Sequence, residues 1–161
     1  MEKDKAREDN PFDIHRGGDS GIVLTGQQLG ILLQSMGTWE IEGICVPMER
    51  ATDEETVLLI HTMVRQGILE VRENRFAIEK TLGEMLVCMV TASQKFPLEF
   101  SDGQFFFCYQ KDDSILLTSL YQRKRNALKL TMMNKREYGE WKEEMFRDIG
   151  RNRGAGDGED L

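Results

Sequence analysis

The hydrophobic positions of this chain follow a helical period up to about residue 93 and a period of two after Pro97. The clearest stretch is 52–82, TDEETVLLIHTMVRQGILEVRENRFAIEKTL. Thr52 can accept a bond from a free first-turn N–H, and Glu55 stands at the reciprocal capping-box position. Asp53, Glu54 and Glu55 complement the positive end of a helix dipole. Val57, Ile60, His61 and Val64 fall on one stripe, widened by Leu58 and Met63, which leaves Thr56, Leu59, Thr62 and Arg65 outward. Gly67 can close this helix in the left-handed conformation. The runs 68–71 and 75–78 then flank Glu73-Asn74, a pair suited to a tight hairpin turn. A helix, a hairpin and a second helix over 79–93 form the grammar of a winged-helix unit. Leu82, Met85, Leu86 and Met89 mark the apolar face of that second helix.

Upstream, Ile22-Val23-Leu24 predicts a short strand. Thr25 caps a helix with Leu29, Leu32, Leu33 and Met36 on one side, and Gly37 stops it. The stretch 38–49 alternates loosely and contains Gly43 and Pro47, which predicts a loop or edge strand. Downstream, Phe96–Phe100, Gln104–Gln110, Ile115–Tyr121 and Ala127–Met133 predict four strands joined by short turns, hence an antiparallel meander. Asp102-Gly103 is the strongest of those turns. In the last strand Leu128, Leu130 and Met132 point inward, while Lys129, Thr131 and Met133 point out. A final helix is predicted over 134–147, with Tyr138, Trp141 and Met145 on one side.

The fold class is therefore α+β: a winged-helix-like N-terminal half, then an antiparallel β-meander and a C-terminal helix. Residues 21–147 form a single domain, with 21–93 the winged part and 94–147 the sheet and helix. Residues 1–20 and 148–161 are charged, glycine-containing and aperiodic, and are expected to be disordered tails.

Charge narrows the partners. The 161 residues carry a net charge of −7, and the helix that would enter a DNA groove begins with three acids. Nucleic acid is a poor partner on both counts. Chemistry narrows the function further. No nucleotide-binding glycine loop, HExxH or GxSxG motif occurs. The two histidines are His15, in the expected tail, and His61, on the apolar stripe and expected in the core. The three cysteines, Cys45, Cys88 and Cys108, are widely spaced and form no CxxC pair. They read as buried free thiols in a reducing cytoplasm. No apolar run approaches the roughly 20 residues that span a bilayer. The expectation is a cytoplasmic protein without catalytic, metal or cofactor residues.

Two features remain for recognition. The segment Ile115–Arg136 holds Arg123, Lys124, Arg125, Lys129, Lys135 and Arg136 and no acid. Arg123-Lys124-Arg125 sits in a turn, so it is either a solvated loop on an acidic body or a contact for an acidic partner surface. The strand Phe105-Phe106-Phe107-Cys108-Tyr109 is apolar on both faces, and few helices follow Phe96 to cover it. An outward Met133, one of nine methionines, would add pliable apolar surface. Arg123, Lys124, Arg125 and Met133 are thus the partner-binding candidates.

The runs IVLTGQQLGILLQSMG, TVLLIHTMVRQGILEVRENRFAIEKTLGEMLVCMV and FFFCYQKDDSILLTSLYQ together resemble the N-terminal half of EspG-type proteins, cytoplasmic chaperones of type VII secretion systems. The likeness covers roughly Ile22 to Met133 and lies in apolar spacing and element order. It implies a non-catalytic chaperone or adaptor that binds a helical-hairpin (WXG100-type) secretion substrate. Apart from the resemblance, a homodimer is a further option. The alternative is a winged-helix transcription regulator with a C-terminal sensing sheet. That reading needs a basic recognition helix, and Thr56, Leu59, Thr62 and Arg65 supply one positive charge.

Overall fold

The structure, a computed structural model, describes residues 21–38 and 41–160, with side chains to Gly150. The expected N-terminal tail, His15 included, lies outside the described residues. Strand β1 (Ile22–Thr25) leads into helix α1 (Gly26–Ser35). The Thr25 hydroxyl accepts from the Gln28 N–H at 3.1 Å, and Gln28 Oε1 accepts from the Thr25 N–H at 3.0 Å. That reciprocal pair satisfies two groups that a helix start leaves open. Residues 41–50 are a loop without a strand.

Helix α2 (Asp53–Arg65) starts on the Thr52–Glu55 capping box read from the sequence. The hairpin β2 (Leu69–Arg72) and β3 (Arg75–Ile78) follows. Glu73 and Asn74 both take positive φ, 49° and 64°, as a two-residue turn of this kind requires. In α3 (Lys80–Thr91) the Glu79 carboxylate accepts from the Thr81 and Leu82 N–H groups at 3.0 and 2.8 Å. Leu82, Met85, Leu86 and Met89 are buried on its inner face, as their spacing predicts.

The four later strands, β4 (Gln94–Glu99), β5 (Phe105–Lys111), β6 (Ser114–Leu120) and β7 (Ala127–Asn134), match the predicted ranges to within two residues. They form an antiparallel meander, and β1 adds to the far side of β7, giving the order β1-β7-β6-β5-β4. Helix α4 (Lys135–Asp160) closes the described chain.

The sheet separates two apolar layers. On one face Leu24, Tyr109, Leu116, Leu128 and Leu130 pack with residues of the first three helices, Leu29, Leu33, Met63, Leu86 and Met89 among them. Each such fully buried side chain contributes about 2 kcal/mol of apolar transfer. On the other face Cys108, Ile115 and Leu117 pack with Phe96, Leu98, Phe106, Met133 and, from α4, Tyr138 and Trp141.

Four sequence expectations change here. The buried face of α2 centres on Met63, with Ile60 and Val64 packed beside it, while Val57 and Leu58 are 55% and 67% exposed. His61 is exposed, not in the core, and Thr56, Leu59 and Thr62 are half-buried rather than outward. The helix is turned by about 100°, one residue's step, from the predicted orientation. Its apolar residues outnumber one stripe, so tertiary packing chooses the face.

The second change concerns cover. Both faces of β5 are covered from within the chain, one by the first three helices and the other by α4. The third concerns Met133, which is half-buried beneath α4 rather than outward. The fourth is the C-terminal boundary: α4 runs on past 147 through a stretch expected to be a disordered tail. Ile149, only 7% exposed, anchors that extension, and adding residues to an existing helix is far easier than starting one.

Candidate functional site

The basic turn between β6 and β7 lies at one end of the sheet and is held by backbone bonds. The Tyr121 N–H donates to the Ala127 carbonyl at 2.9 Å, and the Gly26 N–H donates to the Asn126 carbonyl at 2.9 Å. Asn126 has φ 53°, a conformation that asparagine tolerates better than most residues. Arg123, Lys124 and Arg125 therefore project from a fixed backbone, all three exposed.

The loop 41–50 lies beside this turn. A Cβ on Gly26 would stand 1.9 Å from the Pro47 carbonyl oxygen, and one on Gly43 would stand 2.1 Å from the Phe107 ring. Only glycine permits these two approaches. The Tyr109 hydroxyl donates to the Glu42 carbonyl at 2.6 Å and ties the same loop to β5.

Two grooves flank the turn. One, of about 440 Å³, runs between the turn and the start of α1; Lys124 and Arg125 form one wall, and Gln27, Pro47, Glu49 and Leu59 contribute to the rest. Behind it the buried Gln28 side chain donates to Gln66 Oε1 at 3.0 Å and fixes α1 against the end of α2. The other groove, of about 530 Å³, is lined by Cys45, Gln104, Phe105, Ser119, Leu120 and Gln122. Phe105 and Leu120 are 46% and 55% exposed there. Asp102 also borders this groove; hydrogen bonds from the Gln104 side chain and backbone hold its carboxyl below the usual range.

Of the four sequence-derived candidates, Arg123, Lys124 and Arg125 are neighbours in the sequence itself, and Met133 stands apart from them. Met133 lies six residues along β7 from Ala127, about 20 Å at strand rise, and on the face that α4 covers. The exposed apolar residues at this end of the sheet are instead Phe105, from the aromatic strand read in the sequence, and Leu120, which that reading did not single out. The available signal was position: Phe105 opens its strand and Leu120 closes its own, so both fall beyond the helices that cover the strand centres.

An aromatic and an aliphatic side chain beside a cationic rim suit protein recognition. The apolar pair supplies contact energy, and the rim sets orientation and excludes wrong partners. Among the described residues no cluster of three or more His, Cys, Asp or Glu is placed to hold a metal ion. Among them, too, no helix is long and apolar enough to cross a membrane. No family model, curated protein or solved structure matches this chain, so the surface itself carries the functional reading.

Proposed function

We propose that this chain is a non-catalytic protein-binding module, a cytoplasmic chaperone or adaptor that takes an acidic, amphipathic helical partner at the β6–β7 end of its sheet. The observation that carries the reading is the exposure of Phe105 and Leu120 in a groove that reaches Gln122, the residue before the exposed Arg123, Lys124 and Arg125. A partner helix would set an apolar stripe on the first pair and its acids against the turn, a helix-in-groove mode of recognition. This agrees with the role that the EspG-type resemblance implies, where the cargo is a helical-hairpin secretion substrate. The winged-helix regulator is the weaker reading, because the exposed side of α2 presents Asp53, Glu54, Val57 and Leu58 and a single cation, Arg65.

The test is co-expression with helical-hairpin secretion proteins encoded in the same genome. One of them should co-purify as a stable complex. A triple Arg123/Lys124/Arg125→Glu variant should weaken it strongly, and Phe105→Ser with Leu120→Ser should weaken it further. Val87→Ser, exposed near the opposite end of the sheet, should leave it intact. If no hairpin co-purifies, or if the charge reversal and the apolar double variant both leave the complex unchanged, the assignment fails.

A further inference from the structure

The outward side of α2 is a second surface, independent of the basic turn, and it is complementary to itself. Glu54, Leu58, His61 and Arg65 recur at helical spacing on one line, with Val57 beside it. All five are exposed. The line lies opposite the packed side, where Met63 is fully buried. Isolated exposed apolar residues need no explanation. Here two adjacent large ones sit at mid-helix, with acid at one end of the line and a cation at the other.

That charge order identifies the occupant. Glu55 is engaged in the capping box with Thr52, which leaves Asp53 and Glu54 as the outward acids of the first turn. Glu54 and Arg65 are eleven residues apart, about 16 Å along the axis. A second α2 laid antiparallel places its Arg65 against Glu54 and its Glu54 against Arg65. The two-fold axis then passes between Leu59 and Ile60, which sets Leu58 of each copy against His61 of the other and brings the two Leu58 side chains within about 5 Å of each other along the axis. A parallel arrangement would instead set acid against acid. In a symmetric pair each contact occurs twice, so one complementary line suffices for both subunits.

We propose that α2 mediates an isologous, antiparallel dimer of this chain, with Leu58 and His61 at its centre and Glu54–Arg65 ion pairs at its two ends. One 13-residue helix against its copy is smaller than the roughly 800 Å² per partner of a standard stable interface. The dimer is accordingly weak and concentration-dependent.

Sedimentation velocity of the full chain over a hundredfold range of concentration tests this. The weight-average sedimentation coefficient should rise from the monomer to the dimer value. Leu58→Glu should hold the protein monomeric throughout, with an unchanged circular dichroism spectrum because the site is exposed. Glu54→Arg alone and Arg65→Glu alone should each weaken association by about tenfold, and the double exchange should restore it, since the reversed charges again meet. A monomer at every concentration overturns the proposal, as does a dimer indifferent to Leu58→Glu. Failure of the double exchange to restore association overturns the antiparallel register.

Discussion

The Tyr109 hydroxyl reaches across the structure to the backbone carbonyl of Glu42, 67 positions earlier in the chain, at 2.6 Å. Tyr109 is fully buried on β5, so this bond fastens the loop 41–50 to the packed core. Tyr109→Phe keeps the ring and its packing and removes the tether. It should cost about 1 kcal/mol in urea unfolding. Amide exchange should speed up in 41–49 more than in the strands; equal acceleration everywhere would mean the bond serves the core and not the loop.

The two helical layers should respond very differently to substitution. Trp141 contacts Phe100, Phe106 and Tyr138 with ring centroids 5.8, 5.0 and 6.0 Å away. Trp141→Ala should therefore cost on the order of 3 kcal/mol through the cavity left beneath α4. Val57→Ala, at an exposed site, should stay within about 0.5 kcal/mol of the parent. Thermal melts of the two variants side by side give the answer, and similar losses would contradict the observed orientation of α2.

The thiols should divide by burial. Cys88 and Cys108 are buried as expected, whereas Cys45, in the loop 41–50, is exposed against the expectation. A colourimetric thiol reagent should modify one cysteine at once in the native protein and the other two only on unfolding. Burial pushes the Cys108 thiol up from 9.0 to about 12, and it raises the Cys88 thiol and the Tyr109 phenol as well. An acid whose folded pKa lies above its unfolded value leaves stability intact below the unfolded value, and stability is lost as pH climbs toward the folded one. Unfolding free energy should thus fall from about pH 9 to 12, and Cys108→Ala should flatten part of that slope. A slope unchanged in this variant would refute the assignment.

Duplex DNA should not be bound specifically. Phosphate neutralisation dominates DNA affinity, and the exposed side of α2 offers Asp53, Glu54, two apolar residues and only Arg65 as a cation. Gel shifts at low salt should show only weak, sequence-independent retardation through the Arg123–Arg125 turn. Submicromolar binding that Arg65→Ala abolishes would reverse this conclusion.

Local chemistry was well legible in the sequence. The Thr52–Glu55 capping box, the Glu73-Asn74 turn and the inward Leu128 and Leu130 each follow from short-range rules, and each is observed. The orientation of α2 was not legible, because Val57, Leu58, Leu59, Ile60, Met63 and Val64 wrap most of the helix and periodicity alone cannot rank its sides. The pairing of β1 with β7 joins strands about a hundred residues apart and leaves no local mark. Met133 was misplaced for a related reason. Alternation correctly gave it the face opposite Leu130, but only the path of α4 determines whether that face meets water. At the candidate surface, the cationic turn announced itself in three consecutive residues, whereas its apolar partners come from two different strands and meet only after folding.

The order in which the layers close has a consequence for synthesis. Every strand of the sheet precedes α4 in the chain, so a nascent protein can assemble the sheet and its first three helices while Phe96, Phe106, Cys108 and Met133 still face water. For that interval a sheet face meant for the interior is open to other chains, which is the circumstance in which unfinished proteins aggregate. Until α4 has left the ribosome and seated Trp141, the vulnerable side of this protein is its aromatic sheet face, not the basic turn at the sheet's end.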